Sequence, residues 1–438
     1  MDKIVDLLNF IWGIPLTLII VLVGIYFSIN IKFIQITKIK QVIKNTIGKI
    51  KEKNSKNTII TVLGGTIGAG NVAGVASAIA VGGPGAIFWM WIIALFSMAT
   101  KMVEVALAVR FQKKDSQGNN YGGPMYYMDK IKGKSGKILS IIYSIALLMY
   151  VLCDAGFVQI NTVATSLTET FPIQNWIIGI VLLVLSIVVV SGGLKRVTEV
   201  LTKMVPGMCL FYLVAALIVI IANITSVPSS IITIVKYAFS PAPVVGGFVG
   251  ATVVQAISKG ASRGIFANEA GIGTSTTVHA TTKNKPFVQG LWGILEVGVV
   301  SFVVCTITAL LVISTGAWET GLDGAPMVLN AFESLYGTFG KYVLCIVIVC
   351  FSYSTYIGFF YEYTTCIKYF IKDKYYKYAK WIYIVPAVLA VFLPINVIWT
   401  MADLSVGFAI IPNLIALVLL RNEFKEIFKS GSKLIGVK

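Results

Sequence analysis

Residues 64–74 read GGTIGAGNVAG, a stretch that combines flexible backbone with a polar side chain able to bind a charged ligand. It lies between the apolar runs TIITVL and VASAIAV, inside a segment apolar enough to form a membrane-spanning helix. Five of its eleven residues are glycine, and each glycine in a helix interior costs up to about 1 kcal/mol relative to alanine. Glycine also lets the backbone unwind and lets a ligand approach closely. The stretch therefore predicts a helix that is interrupted at membrane depth.

An interrupted helix can bind charged groups through its own backbone. A half-helix that begins near Asn71 presents free N–H donors and the positive end of its dipole, which suit a carboxylate. Carbonyl groups freed by unwinding suit Na⁺ or a substrate ammonium group, and a zwitterionic amino acid needs both kinds of group. Helix packing explains the glycines equally well, because Gly64/Gly68 and Gly70/Gly74 are GxxxG pairs. Asn71 and a second interruption favour the ligand site.

The second interruption is the polar, glycine-rich stretch SKGASRGIFANEAGIGTS at 258–275. It contains Lys259, Arg263 and Glu269, and ionisable residues at membrane depth are costly and therefore candidates for function. We expect Arg263 and Glu269 to stabilise irregular backbone or to form an inner gate, and the alternative is direct contact with a ligand. Glu296 is a further candidate for the same network.

Lys101, Glu104 and His279 also fall in or near apolar segments. Lys101 and Glu104 are three residues apart, so they can pair on one face of a helix near its cytoplasmic end. We predict a structural or gating pair, and the alternative is that Lys101 extends its ammonium group towards water. His279, the one histidine of the sequence, falls near the end of a predicted span, where we expect a surface role rather than a proton relay.

The elements that must position these residues are membrane-spanning helices. The chain of 438 residues is 57% hydrophobic and only 13% charged, against about 25% charged residues in soluble globular domains. Apolar runs of about 20 residues, long enough to cross a hydrocarbon core, recur along its length. We predict an all-α membrane protein with eleven transmembrane helices. The predicted spans are 9–30, 57–81, 85–110, 138–168, 175–193, 204–226, 245–277, 287–315, 340–370, 380–394 and 397–420.

The net charge of +17 follows the predicted topology. Thirty of the 36 lysine and arginine residues fall in the C-terminal tail and in loops that these spans place on one side of the membrane. Because positive loops face the cytoplasm, we predict a prokaryotic-type plasma membrane protein with its N-terminus outside and its C-terminus in the cytoplasm. The charge is then explained without nucleic acid, and attraction to anionic lipids is a by-product.

The two interruptions divide the chain into two halves. They lie five spans apart, so without the first span they open two groups of five helices, 57–226 and 245–420. Because five is odd, the halves have opposite orientations, and interrupted segments at matching positions of such inverted repeats indicate a secondary transporter. Residues 1–56 then form an extra N-terminal helix and a basic linker, and 421–438 form a basic cytoplasmic tail.

Other classes of membrane protein fit these features less well. Channels carry symmetric rings or filters, whereas the two interruptions differ in sequence. The sequence does not indicate an enzyme, because it has no HExxH motif and no Ser/His/Asp catalytic set. A single histidine also provides few groups for acid–base catalysis. The six cysteines fall in apolar runs without metal-binding spacing, so we expect neither a disulfide nor a metal cluster there.

Four motifs resemble the alanine/glycine:cation symporter family. They are TIGAGNVAG at 66–74, GGPGAIFWMWIIALFSMATK at 82–101, GGPMYYM at 122–128 and SRGIFANEAGIG at 262–273. The resemblance covers nearly the whole chain, as far as IPNLIALVLL at 411–420. It implies the leucine-transporter-like fold of the amino acid-polyamine-organocation superfamily. It also implies import of small neutral amino acids with Na⁺ as coupling ion and no organic cofactor.

The resemblance implies roles for residues around the first interruption. Ala69, Gly70 and Asn71 match the unwound segment that holds a substrate carboxylate, and Gln159 matches a polar position that faces the substrate. The full set of predicted substrate-binding residues is Thr66, Gly68, Ala69, Gly70, Asn71, Gln159, Lys259 and Gly260. The predicted Na⁺ ligands are the carbonyl groups of Gly64 and Ile67 and the hydroxyl groups of Ser354 and Thr355. Oxygen ligands of this kind suit a hard cation, although hydroxyl groups equally suit a helix interface.

Lys259 and Asp154 are charged where the family leads us to expect uncharged residues. Asp154 lies in the fourth span, five residues before Gln159. We hypothesise that Asp154 and Lys259 compensate each other in a salt bridge beside the substrate pocket. Alternatively, the Lys259 ammonium recognises the acidic or amide side chain of a different substrate, or it replaces a coupling cation.

The function predicted first is symport of an alanine- or glycine-like amino acid with Na⁺ by alternating access. The alternative is a proton-coupled or Na⁺-independent transporter with a shifted substrate, for example glutamine. In both cases the expected partners are a small amino acid and the lipid bilayer, with no nucleic acid and no obligatory protein partner.

Overall fold

The computed structural model describes residues 14–49, 53–115, 118–371 and 373–437, and these residues are almost wholly helical. The first helices that the structure describes are α1 Ile14–Asn30, α2 Ile34–Thr37 and α3 Ile39–Asn45. Helix α1 corresponds to the predicted span 9–30, of which residues 9–13 lie outside the described residues. The predicted basic linker lies in part outside them as well.

The part of the chain from the first interruption to residue 239 is helical apart from one two-stranded hairpin. Its elements are α4 Lys53–Thr66, α5 Ala69–Gly82, α6 Ala86–Arg110, β1 Lys113–Lys114, β2 Asn120–Tyr121, α7 Pro124–Met128, α8 Lys134–Val151, α9 Gln159–Thr170, α10 Asn175–Ser191, α11 Gly193–Ala222 and α12 Val227–Phe239. Strands β1 and β2 pair in antiparallel fashion. Helices α8 and α9 are continuous through a π-helical turn, Leu152–Val158.

The remaining part of the chain contains the second interruption. Its helices are α13 Val253–Asn268, α14 Thr276–His279, α15 Pro286–Gly298, α16 Thr306–Ser314, α17 Ala325–Gly358, α18 Phe360–Phe370, α19 Asp373–Ala379, α20 Val385–Leu389, α21 Ile395–Leu419 and α22 Arg421–Gly431. A second π-helical turn, Val299–Cys305, joins α15 to α16. Helix α17 is kinked at Gly337, whose φ of 61° is outside the helical region.

Seven helices of the described residues are long and apolar enough to cross a membrane. They are Ile60–Gly82, Ala86–Arg110, Lys134–Thr170, Gly193–Ala222, Pro286–Ser314, Ala325–Phe370 and Val397–Leu419. Three shorter apolar helices are Pro15–Asn30, Asn175–Ser191 and Ile224–Phe239. The prediction of an all-helical membrane protein with several spans is confirmed, whereas the number of eleven spans stays a prediction.

Several predicted boundaries are wrong. Residues 195–203, predicted as a loop, form the first turns of α11. Residues 245–252, predicted as the start of a span, belong to a loop closed by a bridge between Ala242 and Ala251. The helix predicted at 340–370 follows the kink at Gly337, and a further helical segment from Ala325 to this kink precedes it. In each case polarity marked where the chain meets water, and that point need not coincide with the end of a helix.

The first interruption lies between α4 and α5. Gly68 has an extended conformation (φ −139°, ψ −153°) that ends the helical path. A Cβ atom at this position would lie 2.0 Å from Thr355 Oγ1, so only glycine fits without movement of the chain. Asn71 Nδ2 donates a hydrogen bond to the carbonyl group of Thr66 at 2.8 Å. The Asn71 side chain thereby satisfies a carbonyl group at the end of α4.

The second interruption lies between α13 and α14 and spans 269–275 rather than the predicted 258–275. Glu269, Gly271 and Gly273 all have positive φ angles, of 56°, 90° and 89°. The freed carbonyl groups find partners, because Asn413 Nδ2 donates to the carbonyl group of Gly271 at 2.9 Å. This loop is therefore irregular backbone inside protein, the setting in which membrane proteins tolerate it.

Residues 258–268, predicted as part of this interruption, are regular helix. Thr252 caps the N-terminus of α13 in a capping box with Gln255, which fixes the start of the helix. Lys259 and Arg263 therefore project from a helix and not from unwound backbone.

The side chains are distributed as in a membrane protein, with polar groups inside and apolar groups outside. Large apolar residues are exposed on the outer faces of α10 and α11, among them Ile180, Val184, Leu210 and Ile221. Buried polar residues cluster near the two interruptions, where Asn71, Asn268 and Thr274 are fully buried. This arrangement suits lipid at the surface and a polar site within the bundle.

Candidate functional site

The N-terminus of α5 is a buried set of hydrogen-bond donors. Ala69 N donates to Gln159 Oε1 at 3.1 Å, and Thr308 Oγ1 donates to the carbonyl group of Asn71 at 2.9 Å. An amide oxygen thus occupies a position where a carboxylate oxygen would find the same donor and the same helix dipole. The structure brings the predicted residues Ala69, Asn71 and Gln159 together, and their contact with a substrate stays a prediction.

Gln159 is held in place by Asp154. Gln159 Nε2 donates to Asp154 Oδ1 at 3.1 Å, and Tyr150 OH donates to Asp154 Oδ2 at 2.6 Å. In an α-helix two residues five apart point to different faces. Here the π-helical turn Leu152–Val158 bonds the N–H group of Gln159 to the carbonyl group of Asp154 and aligns the two side chains. Asp154 therefore turns the amide so that its oxygen faces Ala69.

The predicted salt bridge between Asp154 and Lys259 is wrong. Asp154 lies beside the start of α5, whereas Lys259 lies beside its end, where a Cβ atom on Gly82 would be 3.0 Å from Lys259 Cβ. A helix of 14 residues is about 20 Å long, so the two charges lie at different depths in the membrane. The charged groups that act on Lys259 are Arg263, Asp323 and Asp403.

Gly260 serves helix packing in this structure. A Cβ atom there would lie 2.4 Å from the carbonyl oxygen of Ala86, so α13 and α6 touch at this residue. The structure does not bring Lys259 or Gly260 to the first interruption. The sequence predicts that both residues contact the substrate because it predicts unwound backbone at 258–275. In the structure the unwound segment is confined to 269–275.

Of the predicted Na⁺ ligands, Gly64 and Thr355 meet at the end of α4. Thr355 Oγ1 lies 3.5 Å from the carbonyl oxygen of Gly64, and Ile67 and Ser354 are also buried. Ser354 Oγ donates to the carbonyl group of Phe351 at 2.8 Å within its own helix. Carbonyl and hydroxyl oxygens without a formal charge fit a monovalent hard cation. Among the described residues there is no group of three or more His, Cys, Asp or Glu side chains that could hold a metal ion.

Aromatic and charged side chains of α13 and α21 lie beside α5. The Phe266 ring packs on Gly70, where a Cβ atom would lie 2.9 Å from the ring, and it contacts Trp399 edge-on. Arg263 Nη1 pairs with Asp403 Oδ1 at 2.6 Å, and its guanidinium lies 4.0 Å from the Trp399 ring centroid. Arg263 thus links α13 to α21 and does not stabilise the irregular backbone.

Lys101 pairs with Glu296 and not with Glu104, so the predicted pair is wrong. Lys101 Nζ lies 3.4 Å from Glu296 Oε1 and donates to the carbonyl group of Asn268 at 3.3 Å. Glu296 Oε1 also accepts a hydrogen bond from Thr66 Oγ1 at 3.1 Å. This ion pair therefore contacts the last residue of the helix before each interruption. Spacing within one helix could not reveal it, because the partner comes from α15.

Glu104 instead serves the second interruption. Its Oε1 accepts a hydrogen bond from Asn413 Nδ2 at 2.6 Å, and Tyr127 OH donates to Asn413 Oδ1. Glu269 acts within the loop itself, because its Oε2 accepts a hydrogen bond from Thr274 Oγ1. Both carboxyl groups hold irregular backbone in place.

His279 is buried, so the predicted surface role is wrong. Its Nε2 lies 3.0 Å from Glu296 Oε2, and its Nδ1 lies 2.6 Å from Gln289 Nε2. Gln289 Nε2 is a donor, which makes Nδ1 the acceptor and leaves Nε2 to carry the hydrogen towards Glu296. The histidine ring thus ties α14 to α15.

Sequence reasoning missed Tyr150, Asn413, Trp399, Asp403 and Glu362 as residues of this region. Asp403 and Glu362 carried a usable signal, because they are acidic residues inside apolar segments. The aromatic and amide residues carried none, since nothing in their local sequence separates them from ordinary core residues.

Two interrupted helices that meet in the middle of an all-helical membrane protein define a secondary transporter of the leucine-transporter-like class. The fold agrees with the crystal structure of MhsT in complex with L-phenylalanine, with a TM-score of 0.57, 12% sequence identity and coverage of 83% of this chain and 88% of that chain. At this identity the likeness concerns the fold alone.

Residues 1–433 match the sodium:alanine symporter family, and the chain belongs to that family. It is 33% identical to the sodium/alanine symporter AgcS of Methanococcus maripaludis over 97% of both chains. It is also 33% identical to the probable sodium/glutamine symporter GlnT of Bacillus subtilis, over 96% of this chain and 88% of that one. The chain is thus a multi-pass membrane protein of a cation-coupled amino-acid symporter family and not an enzyme.

Proposed function

We propose that the protein imports small neutral amino acids, alanine foremost, together with Na⁺. The observation that carries this proposal is the arrangement at the first interruption. Gly64 and Thr355 bring two neutral oxygens to 3.5 Å of each other, and Ala69 offers a backbone N–H group one turn away. One end of the break suits a cation and the other suits a carboxylate.

The size of the substrate is limited by the wall opposite α5. The Phe266 ring leaves so little room at Gly70 that a single added carbon would collide with it. Trp399 packs on that ring and blocks the same side. Close packing on this side favours a substrate with a small side chain, such as the methyl group of alanine, over a larger one. Glutamine, the substrate in the printed name of one relative, is the second candidate, and it requires the Phe266 ring to move.

Transport itself is proposed to occur by alternating access. The halves 57–226 and 245–420 act as inverted repeats, and one bundle rocks against the other around the site. Import follows from an orientation with the N-terminus outside and the C-terminus in the cytoplasm, which the distribution of basic residues supports.

The proposal is tested by uptake into proteoliposomes. Radiolabelled alanine, glycine and glutamine are supplied with and without an inward Na⁺ gradient, and Na⁺ is expected to raise alanine uptake most. Thr355→Val keeps the shape of the side chain but removes one oxygen, so it should raise the Na⁺ concentration needed for half-maximal uptake about tenfold or more.

Thr168→Val is the matched control, since Thr168 is an exposed residue whose hydroxyl bonds only to its own helix. It should leave the Na⁺ dependence unchanged. Alanine uptake that is equal with and without Na⁺ in the unmodified protein would reject sodium coupling.

A further inference from the structure

Helix α14, which follows the second interruption, is joined to α18 by a buried contact between two polar side chains. Thr277 Oγ1 lies 3.0 Å from Glu362 Oε1 and 3.1 Å from the carbonyl oxygen of Thr274. Glu362 is only 4% exposed. Its other oxygen, Oε2, is buried and has no hydrogen-bond partner in the part of the chain that the structure describes.

Whether both contacts of Thr277 are hydrogen bonds depends on how many hydrogen atoms the hydroxyl and carboxyl groups can donate. A threonine hydroxyl has one hydrogen, and a backbone carbonyl group can only accept. If Glu362 is ionised, the single hydrogen of Thr277 goes to Glu362 or to Thr274 or is shared between them, so the two contacts cannot both be full hydrogen bonds. If Glu362 carries a proton on Oε1, it donates to Thr277, and Thr277 donates to Thr274. Both contacts are then hydrogen bonds.

The surroundings of Glu362 do not supply a cation for an ionised carboxylate. Lys101, the cation that faces it, is held at 3.4 Å by Glu296, and no ion pair of Glu362 occurs among the described residues. Glu269 faces it with a second acidic group. The titratable groups that face Glu362 are Lys101, Glu269, Tyr143, Tyr150, Tyr361, Tyr383 and Cys366. A buried charge without a partner is strongly disfavoured.

We propose that Glu362 is a proton-binding site and that its proton holds α14 against α18 in the sealed conformation of the transporter. The site of the first interruption is closed off in this structure, with Asn71, Gln159 and Thr355 all buried. When the proton leaves, the carboxylate takes the hydrogen of Thr277 and needs water or a cation, so α14 and α18 separate more readily. Because only the sealed conformation binds the proton strongly, pH shifts the balance between the conformations.

The effect on transport rests on the proposed amino-acid symport, but the protonation state does not. Glu362→Gln is the sharpest probe, since a glutamine amide at this position donates to Thr277 at every pH as the protonated acid does. Alternating access must pass through the sealed conformation, which the proton stabilises. With equal pH on both sides of the proteoliposome membrane, uptake by the unmodified protein should therefore fall above the pKa of Glu362, by at most about tenfold per pH unit. Uptake by Glu362→Gln should stay constant over the same interval.

Infrared spectroscopy tests the proton directly and without transport. The carbonyl stretching band of protonated carboxyl groups should be present in the unmodified protein at neutral pH, and Glu362→Gln should remove the component that Glu362 contributes to it. Glu333→Gln, the same change at a surface residue paired with Lys341, is the control and should keep both the band and the pH profile.

The proposal is overturned if Glu362→Gln leaves the infrared band unchanged, or if this variant keeps the pH dependence of the unmodified protein. The infrared comparison also distinguishes failure of the proposed proton site from failure of the proposed transport function. If the band behaves as expected while the protein fails to take up amino acids, the proton site stands and the proposed transport function fails. A melting temperature for Glu362→Gln equal to that of the unmodified protein shows that the variant is folded.

Discussion

At the level of single residues, the site depends on which atoms accept and which donate. The Gln159 amide has an oxygen and an NH₂ group of almost the same shape, so its orientation needs to be fixed by a neighbour. Asp154 fixes it, because a carboxylate accepts only and therefore attracts the NH₂ group at 3.1 Å. The oxygen is then left facing the N–H group of Ala69. Asp154 acts on the first interruption without touching it.

This role of Asp154 predicts that its oxygen matters more than its charge. Asp154→Asn can still offer an oxygen to Gln159, whereas Asp154→Leu offers none and lets the amide rotate. We expect Asp154→Leu to raise the KM for alanine about tenfold, the effect of one lost buried hydrogen bond. Asp154→Asn should stay within about twofold of the unmodified protein. Initial uptake rates in proteoliposomes measure both.

Glu199→Gln, a change at an exposed residue of α11, is the control for effects of preparing and reconstituting a variant protein. If Asp154→Asn loses as much affinity as Asp154→Leu, the charge of Asp154 acts on the substrate and the positioning role is rejected. A large fall in maximal rate with constant KM would also contradict it.

At the level of helices, the sequence located the first interruption well and the second only in part. Glycines and Asn71 mark the first one, because unwinding requires residues that tolerate extended backbone and can satisfy a freed carbonyl group. At the second interruption the polar residues Lys259 and Arg263 suggested unwinding that begins too early. They lie in a regular helix because Arg263 finds Asp403 across the bundle, and such a partner cannot be seen in local sequence.

The π-helical turn at Leu152–Val158 is another feature that local sequence does not reveal. Its benefit is the alignment of Asp154 with Gln159, and that contact exists only after the turn has formed. The same holds for Glu296, whose bonds to Thr66 and Lys101 join three helices. Composition and periodicity therefore predicted where helices lie, and tertiary contacts determined how they bend and pair.

The ion pair of Lys101 and Glu296 leads to a prediction about stability. Removal of one partner leaves a buried charge without compensation, so Lys101→Met should destabilise the protein by about 3–5 kcal/mol. The double variant Lys101→Met/Glu296→Met leaves no charge and should recover a large part of this loss. Thermal unfolding in detergent, followed by intrinsic fluorescence, measures the difference.

The exposed pair Lys341–Glu333, at 3.9 Å, provides the comparison for this experiment. Lys341→Met should cost no more than about 1 kcal/mol, because surface ion pairs are screened by water. If Lys101→Met unfolds at the same temperature as Lys341→Met, or if the double variant is no more stable than Lys101→Met, the buried pair does not hold the helices together.

At the level of the whole molecule, the two interruptions have different supports. The first is held by groups from α9, α16 and α17, through Gln159, Thr308 and Thr355. The second is held by α6 and α21, through Glu104 and Asn413. The Lys101–Glu296 pair is the point where the two supports meet. A small number of buried polar contacts therefore connects the two interruptions.

The direction of transport depends on the orientation of the chain in the membrane, which the basic residues predict. Val249 lies in the loop before α13 and is 81% exposed, and Ser430 lies in the exposed end of α22. With the C-terminus in the cytoplasm, a membrane-impermeant maleimide should label Val249→Cys in intact cells and leave Ser430→Cys unlabelled. Inside-out vesicles should give the reverse pattern.

The unmodified protein reports labelling of the native cysteines, of which Cys153, Cys305, Cys345 and Cys366 are buried. Labelling of Ser430→Cys in intact cells would show that the chain is inserted the other way round, and the inward direction of transport would have to be reversed.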